Sequence, residues 1–438
     1  MSVSKRERIS HVVRRLSMGV HPELVAELES PDAAVARALD LSVAAPPTLP
    51  PMDPPSSYDE QQPIEIAETI AWWLDQMSTS PRLIEERLVW FWHDHFATSI
   101  AKVRIPYLMH QQHATVRAHA TGSFADLLPA MAKDPAMLVY LDGTSNAVGQ
   151  VNENFGRECL ELFTLGIGGG YKQVDVVEAS RAFSGWVVNV QGRPFSSRLA
   201  ELGAAPWGSI FIRNRHDGGD KELLGQRGAF DLDSALDVIL EHPATGRFIA
   251  TKLYRELVGL DPDDGDAKRL GDAFARDWSI MRLVEAIAAE PAFTSNNAVR
   301  SRVRTPVEKL VGIVQAGGGL TVDLGAMRKR ATQTNRSSAQ ANGRGEALRT
   351  VGFIPFVPPN VGGFPEGPLL LGPHQLVHAF DLLNVLAGAP ESAGDVDSLL
   401  ARFGIFDVDA STRQLLERER DPGRQFALAA MSPEFALA

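Results

Sequence analysis

A mainly α fold, a multi-helix globular domain with a small β insertion around residues 186–214, is predicted by three features of the sequence. Apolar residues recur at helical spacing through most of the first 186 positions. Two short β-branched runs, WVVNV and SIFIR, follow Trp186 and are bounded by glycine or proline. Neither an internal repeat nor sustained heptads point to a solenoid or a coiled coil. Residues 1–438 are read as one mostly helical domain, which is simpler than two.

The periodicity places helices at 7–16, 22–28, 32–39, 64–77, 81–98, 106–120, 124–132, 154–165 and 173–183. Ser80 and Pro81 read as N-cap and first helical residue, and Ser123 as the cap of the helix that follows it. The proline-rich stretch at 45–56 is stiff and extended, a loop over the surface. A small β/loop insertion spans 187–226, and helices resume at 232–241, 246–257, 267–275, 280–289 and 306–315. The polar, aperiodic stretch at 329–346 is expected to be a mobile loop. The last proline and glycine loop, around 355–368, can be neither helix nor central strand.

Composition narrows the function classes. With 44% hydrophobic and 22% charged residues, the chain has the balance of an ordinary soluble protein. A net charge of -11 argues against general nucleic-acid binding, which needs a basic face. The single cysteine, Cys159, excludes an intrachain disulfide and a multi-cysteine zinc site. It lies in GRECLEL, where a small buried core residue is expected. No run is long and apolar enough to span a bilayer. The N-terminal segment carries Arg14 and Arg15 where a signal peptide needs apolar residues, so a cytoplasmic amphipathic helix is expected.

The densest polar chemistry lies in NENFGRECLELFTLGIGGGY. On a helix, Asn154, Glu158, Glu161 and Leu165 share a face, and Arg157 can bridge Glu153 and Glu161. Two carboxylates on one face suit a metal site or an acid/base pair, and equally a structural ion-pair network. Upstream, LVWFWHDHFATS supplies His93, Asp94 and His95, although histidines two apart point to nearly opposite sides of a helix. His110 and His113 have metal-compatible spacing without the glutamate of a zinc-protease helix. Glycines 166 and 168–170 follow a helix, which marks a stop and not a phosphate cradle. RHDGGDKELLGQ offers His216, Asp217 and Lys221 in a glycine loop whose plain reading is a polar turn. Ser184 lacks the strand-to-turn setting of a nucleophile elbow.

Seven stretches occur in order: RLVWFWHDHFATS, HATGSFADLLPAMAKDPAMLVYLDG, NENFGRECLELFTLGIGGGYKQVDVVEASRAFSGW, HDGGDKELLGQ, HPATGRFIATKLYRELV, RTPVEKLVG and PPNVGGFPEG. From about Val12 to the C-terminal region the chain thereby resembles the large bacterial family called domain of unknown function 1800. The resemblance implies a mainly helical protein and supplies no agreed catalytic residues. Many members look exported and encoded beside a second, sulfatase-like family. This chain departs in its lack of an export signal, in Phe364 where tryptophan is common, and in Cys159 where an aliphatic residue is usual. The polar positions the resemblance aligns are His93, His95, His119, Asp142, Asn152, Asn154, Arg157, Glu158, Glu161, Arg181, His216 and Asp217.

Two functional expectations follow. In the first, a metal-dependent enzyme, hydrolase or oxidoreductase, holds a divalent transition metal such as iron, manganese or zinc through His93, His95, Glu158, Glu161 and His216. Glu158 and Glu161 would act as ligands or bases, and Arg157 or Arg181 would stabilise an anionic group. In the second, a non-catalytic binding or assembly protein uses the same residues as a buried hydrogen-bond network. Its proline-rich loops, 45–56 and 355–368, would then face a protein partner.

Overall fold

Short polar side chains set where many of the helices begin. Ser4, Ser30 and Ser123 cap Lys5–Arg15, Pro31–Leu39 and Phe124–Ala132 by accepting a hydrogen bond from a first-turn amide. Thr305 and Glu308 form a reciprocal capping box at the start of Pro306–Ala316. The computed structural model describes residues 3–60, 63–318, 353–371 and 395–438. The stretch expected to be mobile, 329–346, lies outside the described residues.

The fold is mainly helical, as the periodicity predicts, with a small two-stranded β insertion. Trp186–Val188 pairs antiparallel with Ser209–Phe211, with Trp186 opposite Phe211 and Val188 opposite Ser209. Three local readings differ. The aromatic helix spans Leu83–His95 and not 81–98, because Ser80 accepts from the Arg82 amide and Arg82 occupies the cap. The HDGGDKELLGQ segment contains a second hairpin, Lys221–Leu223 with Gln226–Gly228. Leu224 and Gly225 both have positive φ, 49° and 82°, as the tight two-residue turn requires, and leucine in the first position hid that turn from a composition-based reading. The expected helix 154–165 is α-helical over Glu153–Glu158 and π-helical over Cys159–Thr164. The Leu165 amide reaches back five residues to the Leu160 carbonyl, and the Thr164 hydroxyl donates to the Cys159 carbonyl at 2.6 Å.

One connected hydrophobic cluster runs from Ile9 to Phe435. The aromatic helix lies inside it, with Trp92 fully buried and its indole N–H donating to the Ala120 carbonyl at 3.1 Å. Cys159 is buried in this core, as expected. The proline-rich loop packs on the β insertion, where the Trp207 indole donates to the Pro55 carbonyl. Beyond residue 395 come four helices that the periodicity did not single out, from Val396–Arg402 to Pro433–Ala436. Among the described residues no helix is long and apolar enough to cross a membrane.

A candidate acid and base pocket

Two helices each present one polar face to a shared cavity of about 630 Å³. From Leu83–His95 come Trp90, Phe91, Asp94 and His95, and from Pro243–Val258 come Lys252, Arg255 and Glu256. Both sets follow helical spacing, so a single face of each helix supplies them. The third wall is the Phe353–Leu371 segment, which contributes Phe353, Phe364 and Glu366.

That segment is pinned to the aromatic helix by consecutive side chains. His93 Nε2 accepts from the Phe356 amide at 3.1 Å, and Asp94 Oδ1 accepts from the Phe364 amide at 2.7 Å. The close approach needs a glycine: Gly363 has φ of 96°, and a Cβ there would stand 2.5 Å from Asp94 Oδ1. Phe364 stacks on Phe353 at 4.4 Å and on Trp90 at 5.6 Å, making an aromatic wall. The Pro355–Pro368 stretch, expected to offer a partner surface, thus packs in good part on its own chain.

The hydrogen bonds assign the tautomer of His95. Its Nε2 is 3.1 Å from the Phe163 carbonyl, which can only accept, so the proton is on Nε2. Nδ1 therefore carries a lone pair and accepts from Lys252 Nζ at 3.1 Å. The π-helical turn that holds Phe163 thereby orients an imidazole on another helix. Among the described residues Lys252 forms no ion pair, and its only other close polar or aromatic contact is Phe248, 5.7 Å from Nζ to ring centroid.

Burial drives Asp94, His95, Lys252 and Glu366 toward their neutral forms. Burial lifts the Asp94 carboxyl to about 7, with Glu366 adding to the rise and the Phe364 amide and Lys252 opposing it. The Lys252 amine is lowered by burial, against the pull of Asp94 and Glu366. His95 is held well below its ordinary range by burial and by Lys252. Glu366 reaches solvent at the mouth, yet desolvation and Glu256 raise its carboxyl. A carboxyl raised to about 7, a neutral imidazole with a fixed lone pair and an amine lowered by burial are groups suited to proton transfer.

The pocket backs onto a buried ion network of a different kind. Arg87 bonds Glu256 at 2.8 Å and Glu308 at 2.7 Å, and Arg302 closes the ring to both glutamates. Glu308 stays ionised despite desolvation because Arg302 and Arg87 hold its carboxyl below the usual range. Glu256 and Arg302 of this ring also line the cavity, as a matched pair of charges.

The residues singled out from sequence lie in several places. Arg157, Glu158 and Glu161 do share one short segment, where Arg157 bonds Glu153 at 2.9 Å and Glu161 at 3.4 Å. Glu158 is raised by desolvation and by Glu161. Arg181 forms a two-toothed bond to Asp217 and a further bond to Glu178. His216 Nδ1 is 3.1 Å from the Ser184 carbonyl, in the loop that Arg181 anchors. His93 binds a backbone amide, His110 bonds Thr69, and His113 is buried against Trp73. Among the described residues no group of three or more His, Cys, Asp or Glu side chains is placed to hold a metal ion. The five expected ligands, His93, His95, Glu158, Glu161 and His216, are accordingly not brought together as one set, and of them only His95 reaches the pocket.

Sequence reading passed over Lys252, Glu256, Arg302 and Glu366 and gave Asp94 no role. A signal existed: Asp94, Lys252, Glu256 and Glu366 all lie in stretches that carried the resemblance, and Lys252, Arg255 and Glu256 share a helical face. The comparison with protein families bears the resemblance out. The chain belongs to the family described as protein of unknown function (DUF1800), whose model matches residues 11–437. No curated protein and no solved structure matches it.

Proposed function

We propose that this member of the family is an enzyme that transfers protons on a small polar substrate in the pocket between the aromatic helix and the Pro243–Val258 helix. The observation that carries this reading is the opening of the Asp94 carboxyl, His95 and Lys252 onto one cavity of about 630 Å³. Asp94 serves as general acid and base, since its carboxyl, raised to about 7, exchanges a proton near neutral pH. His95 positions Lys252 and receives its hydrogen bond. Trp90, Phe353 and Phe364 supply a flat apolar wall for the carbon skeleton, and Glu366 guards the mouth. In this reading Arg157, Glu158, Glu161 and Arg181 hold helices and loops together and touch no substrate.

A ligand-observed NMR screen of small alcohols, amines, carbonyl compounds and carboxylates tests the assignment. Binding should be lost or weakened in Asp94→Asn and Lys252→Met and unchanged in Glu158→Gln and Glu161→Gln. The reverse pattern would move the site to the Glu153–Thr164 segment and sink the proposal.

A further inference from the structure

Lysines on protein surfaces commonly meet carboxylates, and among the described residues Lys252 forms no ion pair. Its Nζ points at the lone pair of a neutral imidazole 3.1 Å away, and among the described residues no carboxylate lies within ion-pair distance of it. The imidazole is itself held by the Phe163 carbonyl through Nε2–H. A nucleophile bonded to an acceptor ring, with the ring oriented by a third group, is the arrangement used to activate side-chain nucleophiles. Such activation matters only where a substrate can enter, and Lys252 lines a cavity of about 630 Å³.

We propose that Lys252 is a covalent nucleophile that captures an aldehyde or ketone as an imine. The inference rests on the assignment of this pocket as the proton-transfer site, and it names the substrate class. The free amine attacks the carbonyl carbon, forming the C–N bond while the π pair moves to oxygen, which takes a proton from the Asp94 carboxyl. Nitrogen then gives up a proton to the Asp94 carboxylate, completing the carbinolamine. A second proton passes from Asp94 to the hydroxyl, the C–O bond breaks, water leaves and the nitrogen lone pair closes C=N. The iminium so formed is a fixed cation in the electrostatic reach of Asp94 and Glu366, the two carboxyls that already act on Lys252. Loss of its last proton to Asp94 balances the step: one carbonyl and one amine give one imine and one water. The lowering of the Lys252 amine by burial acts in the same direction, because it enlarges the fraction of free base.

The test is reductive trapping on the full chain. Wild-type protein is incubated at neutral pH with sodium cyanoborohydride and either pyruvate or dihydroxyacetone, and adducts are mapped by peptide mass spectrometry. Lys252 should be modified several-fold faster than the exposed Lys268 and Lys102. In Asp94→Asn the Lys252 rate should fall while the surface rates stay constant. Modification of Lys252 no faster than of Lys268 with both probes would overturn the imine proposal. It would leave the proton-transfer reading standing if small molecules still bind the pocket in a manner dependent on Asp94, and the two failures are thereby distinguishable.

Discussion

Arg157 and Glu161 face each other across 3.4 Å on a partly exposed segment, the arginine side chain 36% and the glutamate 25% accessible. Lys252 faces an uncharged His95 across 3.1 Å in the pocket, with the carboxyls of Asp94 and Glu366 acting on it. Both regions place a basic side chain near carboxyl groups. In the first, neighbours four residues apart in sequence pair with one another in contact with water, where such pairs contribute little to stability. In the second, groups from three distant segments are desolvated, which raises the Asp94 and Glu366 carboxyls and lowers the Lys252 amine. Proximity in sequence favours self-satisfaction, whereas the pocket draws its groups from distant segments.

The matched ring behind the pocket should be the most fragile element, because removing one partner leaves buried charges uncompensated. Glu308→Ala should lower the unfolding free energy by about 3–5 kcal/mol in denaturant titrations. A loss below about 1 kcal/mol would mean that the ring behaves like the surface pair.

Next in size is the hinge between the loop and the aromatic helix. Gly363→Ala forces a Cβ toward Asp94 Oδ1 at positive φ and should cost about 1–3 kcal/mol. It should also weaken the Asp94 bond to the Phe364 amide, which amide exchange at Phe364 would report as faster protection loss than in wild type. Unchanged stability and exchange would remove the pinning role of Asp94.

The third effect is a pH dependence with a definite sign. The Asp94 carboxyl is raised from 3.8 to about 7 by folding, so the native state holds a proton that the unfolded chain has released between those values. Its contribution to stability is present below pH 3.8 and is lost as pH rises through about 7. Asn cannot ionise, so Asp94→Asn should shrink the fall in stability between pH 5 and 8 by on the order of 2 kcal/mol in parallel melts. The surface segment gives the smallest effect. Glu161→Gln should change stability by less than about 1 kcal/mol, with circular dichroism unaltered.

How much of this was legible follows the same division. Helices with caps such as Ser123 and Thr305 could be read locally, because the cap and the periodic face lie within a few residues. The Trp186 strand and its partner were marked by β-branched runs. The second hairpin was not, since Leu224 is an unfavourable residue for the left-handed turn position it occupies. The π-helical turn at Cys159–Thr164 was invisible to a 3.6-residue projection, yet it is this turn that carries the Phe163 carbonyl to His95. The pocket was least legible. Asp94, Lys252 and Glu366 are separated by more than a hundred residues each, and no local spacing connects them, whereas Arg157 and Glu161 announced themselves by being neighbours.

The central claim is that Asp94 is an acid and base poised at physiological pH while the prominent acidic segment is not. The most direct measurement is a pH titration of side-chain carboxyl ¹³C shifts, with the Asp94 resonance assigned by its absence in Asp94→Asn. The account predicts a midpoint near 7 for Asp94. A midpoint near 4, the ordinary value for an aspartate in water, would contradict it and return Asp94 to the role of a loop anchor.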